Sequence, residues 1–166
     1  MEVTMYKIGD KVVYPMHGAG IIVALEDKEV FGITKEYYIL NMPIGGMKVS
    51  LPVDSIDKIG VRDIISNEEA DQLLEDFYNH ECDETTNWNK RYRENMEKIK
   101  SGSITSVAFV VKALMIRDKA KGLSTGERKM LSSAKQIMLS ELMLVKGISV
   151  GEAEVMISER VKKIEE

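Results

Sequence analysis

The sequence predicts an α+β protein in which a small N-terminal five-stranded β-barrel of the SH3 or Tudor type precedes a compact C-terminal five-helix domain. Three observations carry this. Residues 1–60 break into short runs rich in β-branched and aromatic residues, separated by glycine turns. From about residue 63 the apolar spacing becomes helical. Three serines each stand three residues before a glutamate in that second part, the pattern of a helix start.

The β runs follow in order. Lys11–Met16 comes first, then Gly20–Val30 with Ile21, Ile22, Val23 and Leu25. Lys35–Met42 carries Tyr37, Tyr38, Ile39 and Leu40, and Met47–Pro52 places Val49 and Leu51 two apart. The turns are Gly9-Asp10, His17-Gly18-Ala19-Gly20, Gly32 and Gly45-Gly46. Such close spacing suits a strongly bent five-stranded barrel. No helical stretch is long enough to cross over between parallel strands. A β-domain this small has little core of its own, so some packing against the first helix is expected.

The helical part is punctuated by capping boxes at Ser66/Glu69, Ser124/Glu127 and Ser149/Glu152. Asn87 or Thr86 can cap a helix starting near Trp88, and Ser103 another. Gly102, Gly122 and Gly147 stand where C-terminal glycines fall. The expected helices are 66–79, 88–101, 104–121, 125–146 and 150–164. Val107, Val110, Val111, Leu114 and Met115 form an apolar stripe. So do Ile137, Met138, Leu142 and Val145, with Glu141 read as an exposed position among them. The expected domains are 1–62 and 63–166.

Composition is that of a globular protein, 44% hydrophobic and 30% charged. No apolar run approaches the roughly 20 residues that span a bilayer. Met1 to Asp10 lacks the blocks of a signal peptide, and the single cysteine, Cys82, excludes an internal disulfide. The expected compartment is the cytoplasm. Net charge is −4, but it is segregated. Residues 61–87 carry 1 Lys/Arg and 9 Asp/Glu, net −8, whereas residues 88–135 carry 12 and 4, net +8. A basic segment inside an acidic chain suits either a face for a polyanion or a solvated surface balanced by acidic neighbours.

The residues of an enzyme site are scarce. His17 lies in a glycine turn. His80 and Cys82 could imitate a metal site, but no second ligand pair accompanies them. No glycine-rich phosphate loop ending in Gly-Lys-Ser/Thr opens a helix. We therefore expect no enzyme, no metal and no cofactor. The constellation that remains is Thr85-Thr86-Asn87-Trp88-Asn89-Lys90-Arg91-Tyr92-Arg93, at a helix start that favours anions. Trp88 is the only tryptophan. Beside Lys90, Arg91 and Arg93 it could stack on bases or wedge into a groove. The residues alone favour the plainer reading, in which it heads a core stripe with Tyr92, Met96 and Ile99. Arg128-Lys129 forms a second basic cluster near a helix start. It reads as ordinary surface charge or, if the fold joins the two helix starts, as part of the same face.

These residues also carry a resemblance. The sequence is similar, nearly end to end, to the CarD/CdnL family of bacterial RNA polymerase-binding transcription regulators. The matching blocks are Gly9-Asp10-Lys11-Val12-Val13-Tyr14-Pro15 with His17-Gly18, Lys35-Glu36-Tyr37-Tyr38, Leu51-Pro52, Gly60-Val61-Arg62-Asp63-Ile64-Ile65, Asn87 to Tyr92, and Leu123 to Leu131. The N-terminal blocks alone also resemble transcription-repair coupling factors, which are large ATP-driven translocases. This chain is too short for one and lacks a nucleotide-binding motif.

The resemblance implies a Tudor-like domain that docks on the β subunit of RNA polymerase, through positions matching Lys28, Ser50 and Pro52. Ser50 departs from the family pattern of a larger or basic side chain, which makes Lys48 a further candidate. It also implies a helical domain that contacts promoter DNA at the upstream edge of the transcription bubble. There Trp88 matches the family's wedge, Lys90, Arg91 and Arg93 its basic neighbours, and Arg128 the basic position after the capping box; Lys129 joins them by proximity. The expected function is stabilisation of the open promoter complex by a monomer, without membrane contact. The alternative is an adaptor on RNA polymerase that never touches DNA.

Overall fold

Glycine turns and alternating apolar residues sort the N-terminal part of the chain into strands, and the computed structural model shows how they pair. It describes residues 6–79 and 87–165; His80, Cys82, Thr85 and Thr86 lie outside them. The strands are β1 (Lys11–Tyr14), β2 (Gly18–Val30), β3 (Ile33–Asn41), β4 (Lys48–Pro52) and β5 (Arg62–Asp63). They form one antiparallel sheet in the order β4-β3-β2-β1-β5. The α+β class is as expected, and β5 pairs both of its residues with β1, Asp63 opposite Val12 and Arg62 opposite Val13.

Two details differ from the sequence reading. The sheet stays open: β4 and β5 are its two edges and do not pair. Between them run a 3-10 turn, Val53–Ser55, and a one-turn helix α1, Ile56–Ile59. Ile56 is buried in the sheet's own core with Val12, Ile22, Tyr38, Leu40 and Leu51. A helical turn thus contributes to the core of the open sheet. Helix α1 is also one more helix than the sequence suggested. It is too short to show a period, and Gly60 ends it in a left-handed cap.

A bulge between Ile22 and Ala24 keeps the long β2 in phase with β3. It lets Ile22 and Leu25, three apart, both face inward opposite Leu40 and Tyr38. The other face of β2, β3 and β4 then carries Lys28, Lys35, Tyr37, Ile39, Lys48, Ser50 and Pro52.

The five expected helices are all present: α2 (Asn67–Asn79), α3 (Trp88–Lys100), α4 (Ile104–Lys121), α5 (Thr125–Lys146) and α6 (Val150–Glu165). Four of their starts follow the capping serines, and α3 follows Asn87. Ser66 and Glu69 exchange reciprocal bonds, as do Ser149 and Glu152. Their core gathers around Val110, Val111, Leu114, Ala134, Met138, Leu142 and Ile157. No helix of the described residues is long and apolar enough to cross a membrane.

The two parts meet along α5, rather than along α2, the first expected helix. Glu141, read as exposed, is 1% exposed. Its carboxylate accepts two bonds from Arg62, both 2.8 Å, and one from the backbone N–H of Ile65 at 2.9 Å. Arg62 also donates to the carbonyls of Gly102 and Asp63. A buried carboxylate needs such partners, and helical spacing alone cannot reveal an arginine 79 residues away in sequence. Nearby, Ala19 N–H donates to Ser140 Oγ at 2.9 Å. Gly18, with φ 108°, approaches so closely that a Cβ would lie 2.6 Å from Ser140 Oγ. Gly18 therefore serves the packing of the sheet on α5 as well as a turn.

Candidate nucleic-acid interface

Asn87 begins the site by capping α3, its side chain accepting from Lys90 N–H. That cap puts Trp88 in the first helical turn, where the backbone N–H groups carry partial positive charge. The first turn of α3 contains no acidic residue. The stripe from Trp88 sinks along the helix: Tyr92 and Met96 are half-buried and Ile99 is buried. Trp88 itself is 41% exposed. The core-stripe reading therefore describes the far end of this row, while its head stands at the surface.

The exposed indole is held from several sides. Its Nε1 donates to Ser124 Oγ at 3.0 Å, and its ring stacks on Tyr92 with centroids 5.0 Å apart. Gly126 lies beneath both rings; a Cβ there would touch Trp88 Cζ2 at 3.5 Å and Tyr92 Cε2 at 3.6 Å. Ser124 is the N-cap of α5. The fold thus joins the two basic helix starts that the sequence presents separately.

Glu127 completes the junction. In the capping boxes of α2 and α6 the glutamate reaches back to the serine N–H. Glu127 takes the serine Oγ through its N–H, and its carboxylate turns to Arg91, which donates at 2.9 Å and 3.2 Å. The Arg91 guanidinium beside it holds the Glu127 carboxyl below the usual carboxylate range, against the opposing effect of burial.

The six residues singled out for DNA contact divide accordingly. Trp88, Lys90, Arg93, Arg128 and Lys129 are exposed. Arg91 has an 11% exposed side chain committed to Glu127. Lys90 lies 3.9 Å from Glu94, and Arg128 Nε donates to the Leu123 carbonyl. Sequence reasoning missed Ser124, Glu127 and Tyr92 as organisers. Their signal was present as a capping box and an i, i+4 aromatic, but each pattern has an ordinary local explanation.

The residues singled out for polymerase contact lie together on the outer face of the sheet. Lys28 on β2 donates to Ser50 Oγ on β4 at 2.7 Å, bridging across β3. Lys48 and Ser50 are exposed and Pro52 is half-buried beside Tyr37 in the register. The outer edge of β4 has no strand partner among the described residues.

Comparison with known proteins gives a consistent picture. Residues 6–65 match the CarD-like/TRCF RID domain, and residues 72–158 match the CarD C-terminal domain. The chain is 40% identical over 145 residues to YdeB of Bacillus subtilis (strain 168), a proposed transcription factor; the match covers 87% of this chain and 95% of YdeB.

Proposed function

This chain belongs to the CarD family, a family of transcription regulators linked to RNA polymerase, and on that premise we propose that it is a non-enzymatic stabiliser of the open promoter complex. The sheet domain docks on the polymerase β subunit, and the junction of α3 and α5 contacts promoter DNA at the upstream fork. The observation that carries the DNA reading is the state of Trp88: exposed, yet fixed by Ser124 and Tyr92 between two helix N-termini. An immobilised aromatic plate loses little entropy on stacking against a base or entering a groove.

The side chains divide the work. Lys90, Arg93, Arg128 and Lys129 meet backbone phosphates around the plate, a contact without strong sequence preference. Arg91 acts differently. Tied to Glu127, it positions the two helix starts and hence Trp88. On the sheet, Lys28, Lys48, Ser50 and Pro52 form the polymerase contact, and the unpaired β4 edge favours addition of a partner strand. The protein acts as a cytoplasmic monomer tethered to polymerase, without a cofactor.

The mechanism is a shift in population. A wedge that binds the open fork better than closed duplex favours melting by its differential binding energy. One stacking contact of ~1–3 kcal/mol changes the open population by about 5- to 150-fold. Docking raises the effective concentration at the fork, so free DNA affinity can be weak.

Trp88→Ala should leave the fold and polymerase binding unchanged while shortening the lifetime of the open complex, measured by competitor challenge on a melting-limited promoter. An unchanged lifetime removes the wedge role. An unchanged lifetime with no crosslink from position 88 to promoter DNA favours the adaptor reading.

A further inference from the structure

The hairpin of β2 and β3 ends in an apolar tip that nothing in the described chain covers. Its last strand pair is Val30 and Ile33, joined by a two-residue loop, Phe31-Gly32. Phe31 is 100% exposed, Ile33 59% and Val30 47%. From Gly18, packed on α5, β2 runs outward for about 40 Å to this tip.

The loop backbone adds a second observation. Phe31 has φ 52° and Gly32 φ 77°. Positive φ at both central residues is the type I′ pattern, which matches strand twist and favours Asn-Gly. A bulky aromatic in the left-handed region is an outlier. Phe31 therefore sits in a backbone conformation that disfavours it and exposes its whole ring to water. Neither stability nor solubility accounts for it, and such combinations mark interaction sites.

The register says which surface the tip extends. Val30 and Ile33 stand two residues from Lys28 and Lys35, so they share the outer face that carries Tyr37, Ser50 and Pro52. This face belongs to residues 6–65, the match to the CarD-like/TRCF RID domain.

We propose that Val30, Phe31 and Ile33 form an apolar anchor for RNA polymerase, with Phe31 entering an apolar pocket of the β subunit beside the strand edge that meets β4. The inference rests on the docking reading above and adds a contact at the far end of the same face. Phe31 is the dominant residue of the anchor, and its loss acts mainly on the dissociation rate.

Phe31→Asn separates this role from a structural one, because asparagine suits the loop backbone better than phenylalanine. Thermal unfolding and affinity for purified cognate core RNA polymerase are measured on the full chain, with Ile33→Ser in parallel. We expect Phe31→Asn to unfold at a higher temperature and to bind polymerase about 30-fold more weakly. Unchanged affinity in both variants overturns the anchor. A parallel fall in stability and binding for Phe31→Asn also overturns it, since the ring would then serve the fold. A Lys48→Glu, Pro52→Asp double variant tests the underlying docking. If it alone loses affinity, docking at β4 stands and the anchor fails. If the unaltered protein does not bind polymerase, the docking reading fails too.

Discussion

Helix α5 carries two Arg–Glu pairs with buried carboxylates and partly exposed arginines, one near its start and one about four turns, roughly 21 Å, further along. Both join α5 to another element through two-point contact between guanidinium and carboxylate. Their surroundings differ. Arg62–Glu141 is closed in by backbone groups: the N–H of Ile65 donates to the carboxylate, and the carbonyls of Gly102 and Asp63 accept from the guanidinium. Arg91–Glu127 lies beside an exposed indole and four exposed cations at two helix starts. The first pair is a seam between the sheet and the helices, and the second is the frame of the candidate site. One rigid helix links the two, so the place of Trp88 relative to the sheet depends on both.

The largest expected effect lies at the seam. Glu141→Ala leaves Arg62 without its carboxylate and should destabilise the protein by about 3 kcal/mol, measured by urea unfolding. Arg62→Met with Glu141→Leu should recover much of that loss, because a buried pair replaced whole by apolar groups is often neutral. A loss below about 1 kcal/mol for the single variant would mean that the seam behaves like an exposed pair.

Gly18→Ala tests the same seam through sterics. The added methyl would meet Ser140 Oγ and strain a positive-φ position, disturbing the bond from Ala19 to Ser140. About 2 kcal/mol of destabilisation is expected, with Trp88 fluorescence unchanged in the folded state. A shifted emission spectrum would show that the two regions of α5 are not independent.

Glu127→Gln should cost less, about 1–2 kcal/mol, since amide groups can still bond to Arg91 and Ser124. Its signature is pH dependence. The carboxyl of Glu127 is depressed in the folded state, so its stabilisation is present above the ordinary carboxylate range and is lost as pH falls through the lowered folded value. Trp88, the sole tryptophan, bonds to the serine that also contacts Glu127. The acid part of its fluorescence titration should therefore disappear in Glu127→Gln. If the titration persists unchanged, another group governs the site. Trp88→Ala completes the series at the low end. Its stability effect should be below that of Glu127→Gln because the ring is already half in water.

Much of the candidate site was legible from local chemistry. Trp88 followed by cations at a capped helix start, and Ser124/Glu127 before Arg128-Lys129, could be read directly, because capping and helix charge act over one turn. The contact between these segments could not, since residues 88 and 124 meet only after α4 has turned the chain back. For the same reason Arg91 read as a surface cation until its partner, 36 residues away, came into view.

Apart from the short turn of α1, the sequence by itself determined the element types, the approximate helix boundaries and the segregation of charge. These depend on period, caps and composition, which are local. Tertiary structure decided that the sheet stays open, that α5 is the seam and that Glu141 is buried. It also decided that the head of the Trp88 stripe stays at the surface, pinned to Ser124. Each of these depends on long-range packing: a glycine admitting a helix, a carboxylate finding a distant arginine, an isoleucine of a helical turn joining the sheet's core.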